Sequence, residues 1–473
     1  MSKSLRAMAL LLLTASLASC GIFEARYRQP TLPVADAWPI PPETTSGDAA
    51  DIGWRDFFTD PKLAKLIELS LANNRDLRVA VLTVDKARAQ YQVQRSYRLP
   101  EIDASGSVTK ERISPVSFGE PASVGGITTK YYSAGLGVTN FEFDLFGRVA
   151  SLSHAALQQY FAQSEARRAA QLSLIAEVAN AYLTLAADLE HERLGEETLA
   201  SQSESYQLTE KRYALGGASA LDLAQARETV EAARADAARY AGAVAVDRDA
   251  LMVLVGVPLE EAWLPAGFEP EVSGAAPLPA GLPSSVLLRR PDVLQAEHVL
   301  RSADASIGAA RAAFFPTISL TGSVGSVSTD LSGLFKSGSG TWSFVPQVTL
   351  PIFTAGRTLA NLKSAKVDRD IAIARYEQAI QTSFREVADA LALTATLKRQ
   401  SEAQQALTDA AANAFKLSEA RYKSGKDSYL QLLDAQRNDY AARQTLISTQ
   451  MSEQSNRVTL YKALGGGWAE KSR

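Results

Sequence analysis

One cysteine, three histidines and four methionines in 473 residues leave little material for disulfides or metal sites. Cys20 has no partner for an intramolecular bridge. His154, His191 and His298 stand too far apart for a HExxH-type metal pair, and solvated helix surface is the simpler reading of all three. Gly425-Lys426-Asp427 lacks the upstream glycine and the Ser/Thr of a phosphate loop, and no Gly-x-Ser-x-Gly elbow occurs. The chain therefore reads as something other than an enzyme, without a metal site. A net charge of −3, from 49 basic and 52 acidic residues, gives no basic field for phosphate backbones. Nucleic acid is not an expected partner. Beyond the N-terminus no apolar run of about 18 residues is present, so no spanning helix is expected in the mature chain. A β-barrel escapes that test, because its strands alternate.

What is present begins with a targeting segment. Lys3 and Arg6 precede the apolar stretch AMALLLLTASLAS, short for a membrane span and suited to a signal h-region. It ends in LASC, which resembles the bacterial lipobox, so residues 1–19 read as a lipoprotein signal peptide and Cys20 as the lipidated residue. Gly21 rather than Asp follows the cysteine, which by analogy favours the outer membrane. Residues 20–60, with Pro30, Pro33, Pro39, Pro41 and Pro42, read as an extended tether.

The body of the chain is written twice. RYALGGASALDLAQAR, from Arg212, is echoed by RYKSGKDSYLQLLDAQR, from Arg421, at a shift of 209 that also aligns Gly147-Arg148 with Gly356-Arg357 and Gly256 with Gly465. Upstream the shift is 216, aligning Asp76 with Asp292, Pro100 with Pro316 and Gly106-Ser107-Val108 with Gly322-Ser323-Val324. The difference falls between Val108 and Ser133, in a segment that reads as an insertion-tolerant surface loop. Repeat 1 occupies 61–258, a proline-rich linker 259–284, repeat 2 285–465, and a tail 466–473.

Each repeat has the same order of elements. A helical segment ends before Pro100 or Pro316, where the residue before proline is steered out of the helical region. Ile102, Ala104, Gly106 and Val108 then alternate with Asp103, Ser105, Ser107 and Thr109; Ile318, Leu320, Gly322 and Val324 alternate with Thr317, Ser319, Thr321 and Ser323. Period two with small polar residues on one side suits a barrel strand between lipid and water, and equally a half-buried strand of a soluble sheet. Strands are expected at about 100–112, 130–143, 316–328 and 340–353. Tyr131, Tyr132, Trp342 and Phe344 suit an interfacial girdle, whereas Pro346 and Pro351 argue against the last strand. After each Gly-Arg comes a proline-free stretch of about 65 residues, roughly 100 Å if helical throughout. Leu172, Ile175, Ala179, Tyr182, Ala186 and Leu189 form a heptad seam, and Phe384, Ala388, Leu391 and Ala395 continue the theme. Gly216 and Gly425 can end these long helices in the left-handed region, and Ser219 and Ser428 can cap the next ones. Each motif is thus a hairpin tip, near 213–220 and 422–429.

Four strands cannot close a barrel alone, since the smallest common barrels need eight. Several chains must contribute, and a ring of helical hairpins beside such a pore implies conduction.

The segment LPAGLPSSVLLRRPDVLQAEHVLRSADASIGAARAAFFPTISLTGSVG, from Leu278 to Gly325, together with RYKSGKDSYLQLLDAQR, resembles the TolC-like outer-membrane factors. The likeness is to their lipoprotein branch, the NodT-type, OprM-like efflux ducts, and it spans nearly the whole mature chain. It implies an α+β membrane protein: a homotrimer with a 12-stranded β-barrel continuing into a long periplasmic α-helical barrel of coiled hairpins. It further implies a lipid-anchored protein in the outer membrane of a Gram-negative bacterium, with palmitate on Cys20 and no other cofactor. The implied partners are a periplasmic adaptor, an inner-membrane pump of RND type and outer-membrane lipid. The implied function is drug or small-molecule efflux, with type I protein secretion as the alternative. On this pattern Asp434 matches the aspartate lining the constriction, while Gln431 stands where some relatives carry a second acid. Asp222, Tyr213 and Tyr422 are expected at the periplasmic gate. Gly216, Ser219, Gly425 and Ser428 are expected to form the tip turns on which the adaptor docks.

Overall fold

The structure, a computed structural model, describes residues 23–24, 27–38, 51–114, 126–268 and 284–467. The expected signal peptide, Cys20, parts of the tether, most of the inter-repeat linker and the end of the tail lie outside the described residues. The chain forms two compact units, one from Met1–Pro30, Val84–Gln163 and Ala296–Tyr376, the other from Thr31–Thr83, Ser164–Gln295 and Glu377–Arg473.

The first unit holds a four-stranded antiparallel sheet, β1 (Asp103–Ile113), β2 (Ile127–Phe143), β3 (Thr317–Ser328) and β4 (Gly340–Thr349), in the order β1-β2-β3-β4. Directly paired residues share a face. One row therefore aligns Ala104, Leu136, Val324 and Trp342, and the next row, on the opposite face, aligns Asp103, Gly137, Ser323 and Ser343. The first face is apolar yet uncovered, with Trp342 77% exposed. The second is lined with small polar groups, and Ser107 and Ser133, like Ser323 and Ser343, share hydroxyl hydrogen bonds of 2.8 Å. A surface of large apolar side chains opposite a serine-rich one suits lipid outside and water inside.

Glycine is required on the polar face where β2 meets β3. A Cβ on Gly325 would lie 2.3 Å from the Ala134 carbonyl oxygen, and one on Gly135 2.7 Å from that of Val324. Such bare backbone lets a sheet coil towards closure. A ladder slip between Val138 and Phe141, with Asn140 at φ 55°, adds a bulge.

Pro346 lies inside β4, against the sequence expectation, for a reason set by pairing parity. The Val327 amide donates to Ser339, which makes Leu320 opposite Pro346 a non-hydrogen-bonded pair. The nitrogen of Pro346 thus points to the free edge and costs the β3–β4 ladder nothing. Among the described residues both β1 and β4 are unpaired on their outer sides.

The N-terminal segment straps across the same unit. Phe23 stacks on Phe315 at 4.5 Å, and Phe315 on Phe146 at 5.0 Å. Arg311 donates to the Phe23 carbonyl at 3.0 Å, Tyr27 to Glu297 at 2.9 Å and Gln29 to the Tyr376 hydroxyl at 3.1 Å. His154 pairs through Nδ1 with the Glu24 carboxylate, a hydrogen bond that raises the histidine's pKa. His298 Nδ1 lies 2.8 Å from Gln158 Oε1, and Gln158 Nε2 lies 3.0 Å from His154 Nε2. These two histidines therefore belong to a chain of side-chain hydrogen bonds, although the His154 ring stays partly exposed. In the second unit His191 is buried, stacked on Tyr240 at 4.8 Å. Spacing alone could not show this, because the partners lie on other elements.

Among the described residues the α-helices are α1 (Trp54–Phe57), α2 (Pro61–Asn73), α3 (Arg75–Ser96), α4 (Arg148–Ala214), α5 (Ala220–Val255), α6 (Pro291–Ala312), α7 (Arg357–Lys423) and α8 (Tyr429–Ala463). At 67 residues each, α4 and α7 are continuous and roughly 100 Å long. By length and composition α4 would pass for a membrane span, but 61% of its most apolar stretch is buried within the chain. That burial includes the heptad seam, where Ile175, Ala179, Tyr182 and Ala186 are almost wholly enclosed, and extends past it to Val178, Leu183 and Leu185. In α7 the most enclosed positions are Tyr376, Ile380, Ser383, Val387 and Ala390. The expected row from Phe384 lies beside this seam, and Ala395 is exposed. Phe384 instead stacks on Trp38 of the tether at 4.4 Å.

The helical segment that precedes Pro100 is two helices, α2 and α3. Asp60 accepts from the Lys62 amide to start α2 at Pro61, and Asn74, in extended conformation, stops it. Asn74 Oδ1 then accepts from the Leu77 amide and its Nδ2 donates to the Leu254 carbonyl at the end of α5. Gly256, at φ 79°, leaves no room for a side chain, since its Cβ would lie 2.6 Å from the Asn73 carbonyl oxygen. Within LLRRPDV, Arg290 is buried and donates to Asp292, Glu386 and the Ala463 carbonyl, tying α6, α7 and the end of α8 together.

Candidate functional site

Both tips are built by the same backbone logic. Gly216 (φ 73°) and Gly425 (φ 74°) take the left-handed conformation. The Gly216 amide donates to Tyr213 and that of Gly217 to Arg212; Gly425 donates to Tyr422 and Lys426 to Arg421. This is the paired six-to-one and five-to-two bonding of a Schellman motif. A Cβ at either glycine meets nothing within 4 Å, so the conformation rather than space selects glycine.

Side chains then separate the two. At the first tip Ser219 and Asp222 form a capping box: the Asp222 amide donates to Ser219 Oγ at 3.1 Å, and the Ser219 amide to the Asp222 carboxylate at 2.9 Å. Asp222 thus serves the start of α5. At the second tip Ser428 is the N-cap residue of α8 by position, but its side chain makes no capping bond. Three residues on stands Gln431 in place of an acid, and Gln431 is exposed. The turn is instead clasped by Arg421, whose guanidinium donates to both oxygens of Asp427 at 2.7 and 2.8 Å.

The tyrosines also part company. Tyr422 is buried with Ala226, Tyr429, Leu432 and Leu433, and Arg212 of α4 lies 4.6 Å over its ring. It therefore fastens the first hairpin to the second. Tyr213 is 46% exposed. Asp434 lies on an exposed face of α8, and its one hydrogen bond among the described residues is a long one, 3.4 Å, from Asn438. Beside it α7 and α8 leave a groove of about 450 Å³ lined by Leu407, Ala411, Ala414, Ala435, Asn438 and Ala441. Sequence reading missed Tyr429, Arg212 and Asp427. The only available signal was their place within the two echoed motifs.

A lipid-compatible sheet that cannot close by itself, on a chain with 67-residue helices ending in fastened tips, defines a subunit of a multi-chain outer-membrane duct. The profile of the family described as Outer membrane efflux protein matches residues 66–257 and 282–466, and the chain belongs to that family. It is 48% identical over 451 residues to the toluene efflux pump outer membrane protein TtgC of Pseudomonas putida, covering 94% of this chain and 92% of that one. It is 43% identical over 462 residues to the outer membrane protein OprJ of Pseudomonas aeruginosa, covering 97% and 95%. The open state of the Neisseria gonorrhoeae MtrE outer membrane channel superposes with a TM-score of 0.86 at 41% identity, covering 95% of this chain and 99% of that one. The fold class is accordingly that of trimeric channels, with four strands per chain in the barrel and long helical hairpins in the periplasm. The chain is the outer-membrane channel component of a tripartite efflux system and not an enzyme.

Proposed function

We propose that this channel is anchored by acylation of Cys20, receives small apolar or amphipathic compounds from an RND-type pump, and is gated by Asp434. The name of the toluene-exporting relative supports the cargo class, LASC supports the anchor, and lipidation together with the LLRRPDV segment favours small-molecule efflux over protein secretion. The adaptor docks on the turns at Gly216, Ser219, Gly425 and Ser428, with Tyr213 and Tyr422 closing the hairpins behind it.

The observation that carries the gate is the setting of Asp434. Its carboxylate is exposed on the helix surface and loosely held, six residues after the N-cap Ser428. Three such carboxylates near a common axis repel one another and attract multivalent cations. Bilayer conductance of wild type and Asp434→Ala, with and without a trivalent cation, tests this. Cation block should disappear in the variant, and equal block in both would place the constriction elsewhere. The anchor is tested separately by the mass of the mature N-terminal peptide, which should carry acyl chains in wild type and none in Cys20→Ser. An unmodified Cys20 in wild type would remove the lipid.

A further inference from the structure

The outer end of the β1–β2 hairpin sets like charges against each other. Lys110 of β1 stands directly opposite Lys130 of β2, and Arg112, two residues further along β1, stands opposite Thr128 on the same face. Cross-strand like charges destabilise a sheet unless something relieves them. Among the described residues no acid on this face does so. Glu111 alternates to the other face, and the ladder with β3 ends at Tyr132 opposite Ser328, two residues short of the cations. All three cations are exposed. Among the described residues Lys130 has only a cation–π contact, 4.6 Å from the Tyr132 ring, and none of the three sits in an ion pair.

Their height and face identify what relieves them. Even-numbered positions of these strands carry the apolar, lipid-facing set: Ala104, Val108, Tyr132 and Leu136. Lys110 and Lys130 follow the Val108–Tyr132 row by two residues, roughly 7 Å along the strand. They therefore stand just past the girdle tyrosine, at the end of the sheet remote from the helices, where lipid tails give way to headgroups. The outer ends of β3 and β4 carry none of this, with Ser326 opposite Gly340 and Gly325 opposite Thr341. Three cations held on a lipid-facing surface at headgroup height complement clustered phosphates and not a neutral membrane.

We infer that Lys110, Arg112 and Lys130 form a binding site for the phosphate groups of a phosphorylated glycolipid in the outer leaflet, fixing one lipid against each β1–β2 hairpin.

The test uses the full-length trimer in detergent, mixed with bisphosphorylated lipid A, its dephosphorylated form or phosphatidylglycerol, with retained lipid counted by native mass spectrometry. Wild type should retain bisphosphorylated lipid A and lose it progressively with added salt. The variant with Lys110→Ser, Arg112→Ser and Lys130→Ser should lose more than tenfold in retention, since each basic group near an anionic surface contributes roughly fivefold. Lys336→Ser, in the β3–β4 connection, should leave retention unchanged. Equal retention by wild type and triple variant would overturn the site. The wild-type comparison stands even if the triple variant fails to assemble: equal retention of phosphorylated and dephosphorylated lipid A, or of phosphatidylglycerol, would overturn it as well.

Discussion

Arg212 and Arg421 occupy the same place in the two halves, yet one reaches across to the other hairpin and the other stays in its own turn. The cause lies six residues on. Where the second tip has Asp427, which holds Arg421 in a two-pronged hydrogen bond, the first tip has Ala218. Arg212 is left to lie over the ring of Tyr422. Tyr213 and Tyr422 diverge for a related reason. Tyr422 packs on Tyr429 and Leu433, whose counterparts beside Tyr213 are Ala220 and Ala224. Duplication preserved the backbone turn and let the side chains specialise: the second tip became the socket and the first supplied a cation to it.

The largest effect that tests this asymmetry comes from truncating the tyrosines. Tyr422→Ala removes a buried aromatic ring and should cost about 3 kcal/mol of local stability, whereas Tyr213→Ala should stay within about 0.5 kcal/mol. Hydrogen exchange at the ends of α4 and α7 reads the difference. Equal loss of protection at both tips would mean that a neighbouring chain buries Tyr213 in the trimer, and the asymmetry would then belong to the single chain only.

A smaller effect separates the caps. Ser219→Ala should cost about 1 kcal/mol at the start of α5, because it leaves an amide of the first turn without its acceptor. Ser428→Ala should cost a few tenths, since its hydroxyl caps nothing. Gln431→Asp would sharpen the comparison by supplying the missing half of a capping box, and should stabilise the start of α8. Equal sensitivity of the two serines would show that Ser428 adopts a capping rotamer in solution.

How far this was legible in the sequence follows from which signals are local. Gly216 and Gly425 could be read directly, because a left-handed residue at a helix end depends on backbone alone. The strands were legible as alternation, and the α4 seam as a heptad whose members are enclosed except Leu189, which is partly buried. The second seam was misplaced by one row, since α7 offers several small and apolar rows and only packing selects among them. The break at Asn74 was missed because its cause, the Leu254 carbonyl, lies 180 residues away. The partners of His154 and His298 were hidden in the same way: Glu24 and Gln158 lie 130 and 140 residues from their histidines. Asp434 stood out only through resemblance to a family.

The smallest expected effect concerns the clasp that the first tip lacks. The hydrogen bond from Arg421 holds the Asp427 carboxyl below its ordinary value of 3.8. A carboxylate with a lowered pKa adds stability that is fully present above the unfolded-state value and is lost as pH falls through the folded one. Tip two should therefore keep its clasp at neutral pH and begin to lose it below about pH 4. The amount is small because the pair lies at the surface, with the Arg421 side chain exposed, and surface ion pairs are screened and entropically costly to hold. The informative measurement is the ratio of protection at Lys426 to that at Gly217, taken from pH 7 to pH 3 in wild type and in Asp427→Asn. In wild type the ratio should fall as the pH drops below 4. In Asp427→Asn it should start lower at pH 7 and change less, because the clasp is already absent. Identical pH profiles for the two proteins would show that the Schellman bonds alone hold the second turn and that Arg421 and Asp427 meet only incidentally.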